Sequence, residues 1–345
     1  MIKKSQKKNF FLDRIINKLE GATYKSIVPT VLKNVKQNKK YLKHGKSIEN
    51  LKGHKFNKGN IAVVVGAGPS LRRYNQIEIL KKYKNNLVII SADGALYYLL
   101  DNGVIPELVI TLDPHPTRII RWFGDTSLTK NKIKKDDYFL RQDLETDFRK
   151  EISSNKKNIT LFNKFSKKIN IAVFTSSSLA VVKRLVNTKS KIYWWNPFLD
   201  EPKKKNSVTK KIYKINKMPI INSGGNVGAA AWMFADSVLE INKIVLLGMD
   251  FSYYMDTPIK NTQYYDQISK LTKKENIKYF FKKIYNRKEK KFFYSDYVYL
   301  WYRKIFLEMV NNSNSKTFNC SKAGIIFGND IVWTSLKKFC KFNIK

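Results

Sequence analysis

The chain has 345 residues, 43% of them hydrophobic and 13% aromatic, enough to bury a sizeable core and too many for a disordered segment. Its formal net charge of +39 raises nucleic acid as a partner, but only 10 of the 66 basic residues are Arg, the residue that reads bases and forks onto phosphates, and the lysines run from end to end. The charge therefore describes solvated lysine faces with no specific nucleic-acid footprint, and leaves peripheral contact with lipid headgroups open. Cys320 and Cys340 form no CxxC pair, and His44, His54 and His115 are not spaced as a metal site. The N-terminus lacks the apolar run of a signal peptide and no stretch is long enough to span a membrane, so the expected location is the cytoplasm.

Residues 1–58 read as a lysine-rich helical segment, with Phe10, Phe11, Ile15, Ile16 and Leu19 at helical spacing and loosely packed helices over the polar stretch 33–58. The core begins at Ile61-Ala62-Val63-Val64-Val65, a β-branched run that reads as a buried parallel strand. Strands follow at 87–90, 108–112, 171–174, 192–195 and 244–247, with helices from about 75, at 92–102, over 178–187 and over 226–240. This alternation predicts an α/β fold: a Rossmann-like, open, mostly parallel sheet with helices on both faces. A charged and aromatic insertion interrupts it at about 114–158, and residues 200–217 read as a lysine-rich loop. The organisation expected is a catalytic domain over 59–255 and a C-terminal extension over 256–345 with a helix at 296–312.

Five segments carry candidate chemistry. Gly66-Ala67-Gly68-Pro69-Ser70-Leu71 follows a strand, so glycines admit backbone close to an anion and the amides of the next helix point at phosphate, with the Ser70 hydroxyl as a further donor. The turn has neither the Lys-Ser/Thr of a P-loop nor the third glycine of a dinucleotide fingerprint. Asp93, at the end of the second strand, can hold a ribose hydroxyl or the base, or cap the following helix. Asp113 ends the third strand in Asp113-Pro114-His115-Pro116 and can orient an acceptor or hold Mg²⁺, while His115 is a candidate general base or a surface histidine. Asn222-Ser223-Gly224-Gly225-Asn226 opens a helix, and Asn222, Ser223 and Asn226 can hydrogen-bond a base, sugar or phosphate. Asp250 ends a further strand, with Tyr253 and Tyr254 beyond it as donors to a leaving phosphate.

In order and spacing, GAGPSL, SADGAL, TLDP, SGGNVGAAA and LLGMDFSY resemble the domain shared by the motility-accessory-factor (Maf) flagellin glycosyltransferases and the archaeal 6-hydroxymethylpterin diphosphokinases (MptE-like), over about residues 59–255. The same features are similar to bacterial sialyltransferases that use CMP-activated sugars. Tyr294-Ser295-Asp296 and Phe318-Asn319-Cys320-Ser321-Lys322-Ala323-Gly324 look like the closing part of the glycosyltransferase group.

That resemblance implies transfer of a nonulosonic (sialic-acid-like) sugar from a CMP-sugar to a hydroxyl on a protein or glycan. Gly66, Gly68, Pro69, Ser70 and Asn226 would hold the phosphate, Asp93 and Asn222 the ribose or base, with Ser223 also among the nucleotide-binding residues, and Asp113, His115 or Asp250 would act on the acceptor, with no metal required. The related sialyltransferases place a base histidine beyond the Gly-x-Asp strand, whereas no histidine follows His115 here. The alternatives are diphosphate transfer from ATP to a pterin, with Mg²⁺ at Asp113, and a basic nucleotide-binding adaptor without catalysis.

Overall fold

The computed structural model describes residues 27–135 and 155–344. The apolar stripe Phe10–Leu19 and residues 136–154 of the expected insertion lie outside them. Helix α1 (27–38) leads through a 3-10 turn, Lys39–His44, into β1 (Gly45–Ser47). Then come β2 (Ile61–Val65), α2 (Gln76–Tyr83), β3 (Val88–Ala92), α3 (Leu96–Asp101), β4 (Leu108–Thr111), α4 (Asn155–Phe165), β5 (Asn170–Phe174), α5 (Leu179–Asn187) and β6 (Lys191–Pro197). The rest is α6 (Val208–Asn216), β7 (Ile220–Ile221), α7 (Val227–Met233), β8 (Lys243–Leu247), β9 (Tyr253–Tyr254), α8 (Tyr265–Leu271), β10 (Phe281–Asn286), β11 (Lys291–Asp296), α9 (Tyr297–Asn311), β12 (Lys316–Asn319), β13 (Ile331–Trp333) and α10 (Leu336–Asn343).

The sheet runs β1-β6-β5-β4-β3-β2-β8-β12-β13, with β7 alongside β6, and its strand pairs are parallel. This is the α/β, Rossmann-like parallel sheet expected from the strand–helix alternation. Strand β2 is apolar at every position and β3, β4, β5 and β8 at all but one, because both faces are covered. On one face Ala62, Val64, Ile90, Ile110 and Ala172 pack under Ala229–Trp232 of α7 and Phe306 of α9. On the other, Val63, Val65 and Ile89 meet α2 and α10, and Val109, Ile171 and Val173 meet α4 and α5. A smaller antiparallel sheet, β10-β11-β9, stands beside the main one and feeds α9.

Two expectations are corrected. The lysine-rich stretch 200–217 is a loop only at its start. Its second half is α6, capped where the Ser207 hydroxyl accepts from the Lys210 amide and where Asp200 accepts from the Ser207 hydroxyl and the Val208 and Thr209 amides. Val208 and Ile212, one turn apart, pack against Val31 and Val35 of α1. Nor is the polar stretch after residue 33 loosely packed. Asn34 and Asn38 of α1 are buried; the Asn34 amide donates to Pro114 O and Ser176 O, and that of Asn38 to Thr175 O and Ser177 O. Helix α1 thereby braces the loops that leave β4 and β5. Among the described residues no helix is long and apolar enough to cross a membrane.

Candidate functional site

In a parallel sheet every strand delivers its carboxyl end to one edge. Ligand crevices open where successive connections diverge to opposite sides. Here that point lies between β2 and β8: from β2 the chain builds outward through β3, β4, β5 and β6, then returns to β8 on the other flank of β2. The glycine turn leaves the sheet at this point.

The glycines of that turn are required by backbone rather than by open space. Gly66 N donates to Leu247 O and Gly68 N to Gly248 O, both at 2.8 Å. A Cβ on Gly66 or Gly68 would lie 2.5 Å from Gly248 O, and one on Gly248 (φ +63) 2.4 Å from Gly66 O. The two strand-end turns interlock. After Pro69, the Ser70 amide and hydroxyl donate to the Asp250 carboxylate at 2.9 and 2.5 Å, with Ser70 and Asp250 both buried. The anion that meets the first amides of the helical turn Ser70–Arg73 is therefore the protein's own carboxylate. Asp250 is also gripped from behind, its carbonyl accepting from Ile325 N at 2.9 Å where the loop after β12 passes.

Asp93 sits on the neighbouring turn. A Cβ on Gly94 would lie 3.1 Å from the Ala67 Cβ, so this turn rests on the glycine turn. Asp93 is 3% exposed; Oδ1 accepts from Gly94 N at 2.7 Å, and the Thr111 hydroxyl and Leu112 amide lie near enough to the carboxylate to favour its charged form. Burial pushes its carboxyl up to about 7, the Gly94 amide opposes that rise, and the Asp113 carboxylate nearby adds to it. An acid so placed is poised to gain a donor, a hydroxyl or an amino group, from a ligand.

Asp113 is half-buried. Its Oδ1 accepts from His115 N at 2.8 Å and its Oδ2 faces Arg118 Nη1 at 3.5 Å. His115 Nδ1 accepts from Thr117 N at 3.3 Å, which puts the proton of a neutral ring on Nε2. In the Asn222–Asn226 loop the polar side chains serve the backbone. Asn222 Oδ1 accepts from Gly224 N, and Asn226 Oδ1 caps α7 by accepting from Ala229 N at 2.9 Å. Ser223 is buried and its carbonyl accepts from Asn226 N. Gly224 and Gly225 take left-handed φ of +58° and +79°, and a Cβ on Gly225 would touch the rings of Trp301 and Tyr302 within 3 Å.

Helix α9 thus lies over this loop, and the field of Asp113 reaches the Tyr302 hydroxyl. Its aromatic underside was not read from the sequence. Phe251, Tyr253, Tyr264, Tyr299 and Tyr302 form a cluster of ring contacts at 5.3–6.4 Å. Buried Asp296 anchors it, accepting from Tyr253 Oη at 2.8 Å and from Tyr299 N at 2.9 Å. Burial raises Asp296 to about 6 and lifts the Tyr253 hydroxyl well above its ordinary range, so Tyr253 remains a donor. Tyr254 instead has the Arg73 guanidinium over its ring at 3.8 Å. The one signal available in the sequence was a polar residue, Asp296, standing before a helical run in a tyrosine-rich tail. An open depression of about 650 Å³ lies apart from the switch point, against α1 and the start of α5, lined by Lys36, Gln37, Lys39, Lys40 and Leu179.

Among the described residues no three of His, Cys, Asp and Glu are grouped as a ligand set. Mg²⁺ commonly takes one or two carboxylates and completes its shell with phosphate and water, and of the strand-end carboxylates the half-buried Asp113 is the one open enough to hold it.

Residues 30–123 match the family model described as 6-hydroxymethylpterin diphosphokinase MptE-like. No curated protein matches the sequence. Among solved structures, the fold is similar to that of the Maf glycosyltransferase from Magnetospirillum magneticum AMB-1, with a TM-score of 0.50 and 14% identity, over 90% of this chain and 39% of that one. The chain spans about two fifths of that structure's length. The resemblance read from the motifs is thus met by a family model over its N-terminal part and by a solved fold over most of its length.

Proposed function

We propose that this chain, an MptE-like domain set in a Maf-type fold, is a glycosyltransferase that moves a nonulosonic sugar from CMP to a hydroxyl acceptor. The observation that carries this reading is the likeness of fold over 90% of the chain, combined with a buried carboxyl pushed up to about 7, Asp93, on the turn beside the switch point. In this reading Asp93 Oδ2 and the Thr111 hydroxyl take the ribose or base of CMP. The phosphate lies against the Ala67–Pro69 turn. The acceptor hydroxyl oxygen attacks the anomeric carbon, its proton passes to the Asp113 carboxylate, and the bond to the CMP phosphate breaks with its electron pair leaving on phosphate oxygen. Asp113 suits the base role better than His115, whose Nδ1 lone pair is taken by the Thr117 amide. Asp250, Asn222, Ser223 and Asn226 act by holding the turns.

A second reading, diphosphate transfer from ATP to a pterin, is favoured by the family model at 30–123 and by the half-buried Asp113 carboxylate. A thermal-shift screen of CMP, CDP, UDP, GDP and ATP, each with Mg²⁺ and with chelator, separates the two. The glycosyltransferase reading expects CMP to raise the melting temperature with chelator present. Stabilisation by ATP only with Mg²⁺, and none by CMP, would overturn it in favour of the diphosphokinase.

A further inference from the structure

Of the ten large hydrophobic side chains that stand exposed among the described residues, five belong to residues 255–292: Met255, Ile259, Tyr279, Tyr285 and Phe292. Three of them flank or occupy the β10–β11 ribbon. In its register Tyr285 stands opposite Phe292 and Lys283 opposite Tyr294, so Lys283, Tyr285 and Phe292 share one face. The Tyr285 and Phe292 rings meet at 4.8 Å, and Lys283 Nζ lies 4.1 Å from the centre of the Phe292 ring. The two rings are 44% and 46% exposed. Around them the charge is one-sided: residues 278–292 hold seven basic side chains (Lys278, Lys282, Lys283, Arg287, Lys288, Lys290, Lys291) against the single acid Glu289.

We infer that this ribbon is a docking surface for an anionic lipid bilayer. Rings with an apolar body and a polar tip settle at the boundary between headgroup and acyl chain, and each lysine near an anionic surface adds attraction that salt weakens. A polyanion without an apolar layer would answer the lysines but not the exposed Phe292, Met255 and Ile259. The rings also pair with each other rather than standing apart as platforms for successive bases, which favours a lipid surface over a single-stranded nucleic acid. Strand β11 runs straight into α9 through Asp296, and α9 covers the switch-point crevice. Docking through the ribbon therefore holds that crevice beside the bilayer, whatever reaction it performs.

The test is co-sedimentation of the whole chain with vesicles of phosphatidylcholine alone and of equal parts phosphatidylcholine and phosphatidylglycerol, at physiological ionic strength. The wild type is expected to bind the mixed vesicles and not the neutral ones. The double variant Tyr285→Ser/Phe292→Ser and the double variant Lys282→Glu/Lys283→Glu should each weaken that binding about tenfold or more. Lys203→Glu/Lys204→Glu, the same charge change on the exposed loop before α6, should alter it less than about twofold. Melting temperatures of all three should match the wild type, and Tyr279→Ser, outside the strand ladder, gives a second aromatic variant if the Ser pair does not fold. Equal losses in the ribbon and loop charge variants would make the effect one of net charge and overturn the inference. So would undiminished binding by both aromatic variants, absence of vesicle binding, or tighter binding of single-stranded DNA than of vesicles that the Ser pair abolishes.

Discussion

Asp93 carries two burdens, burial and a like-charged neighbour, and both raise its carboxyl from the ordinary 3.8 to about 7. Because the folded state holds this proton more tightly than the unfolded chain, its contribution to stability is greatest below about pH 4 and is lost as pH rises through about 7. Asp93→Asn should flatten that dependence, so that the difference in unfolding free energy between variant and wild type grows towards neutral pH by up to about 4 kcal/mol. Urea titrations at matched ionic strength between pH 4 and 8 would show it, and a constant difference would place the group in contact with water. The glycine turn gives the opposite kind of prediction. If the turn's glycines only made room for a phosphate, Gly68→Val would block a ligand and spare the fold. The 2.5 Å approach to Gly248 O and the nearby Asp250 carboxylate make it a folding mutation, expected to cost about 3 kcal/mol or more by calorimetry. The sequence marks these glycines as obligatory without saying what crowds them, because a turn that needs glycine for a phosphate and one that needs it for another turn have the same sequence.

At the scale of elements, α9 is held over the crevice by a hydroxyl and a carboxylate. Tyr253 Oη donates to Asp296 and also accepts from Gln263 N at 3.1 Å, so one oxygen ties together β9, the loop before α8 and the start of α9. Tyr253→Phe should destabilise the chain by about 1–3 kcal/mol in urea and push the Asp296 carboxyl still higher, whereas Tyr285→Phe on the exposed face should change stability by less than about 0.5 kcal/mol. The contrast between these elements and the central strands explains what could be read beforehand. Strands buried on both faces are apolar at every residue, as in Ile61–Val65, or at nearly every one, and announce themselves. Helix α6 hides its two anchoring side chains, Val208 and Ile212, among lysines, and α10 does the same with Leu336, Phe339 and Cys340. The tyrosine cluster over the site rests on a pair 43 residues apart, Tyr253 and Asp296, which no local pattern can join.

For the whole molecule, a net charge of +39 is a repulsion distributed over one fold. Added salt should therefore raise the melting temperature, most steeply below about 0.1 M where the screening length exceeds roughly 10 Å, and a flat response would mean that the lysines are already neutralised by local partners. The interlock between the glycine turn and the β8 turn has a consequence on the folding clock. The bonds from Ser70 to Asp250 span 180 residues of chain, and the pairing of β8 with β2 closes a loop that contains β3 to β7. Such long loops are slow to close, since chain entropy is spent before any contact repays it. Until β8 docks, the turn after β2 has neither its glycine contacts nor the carboxylate that caps Ser70. The crevice comes into being only when β8 closes on β2, so a half-built chain would present no crevice at all, and any binding there becomes a report that this closure has been made.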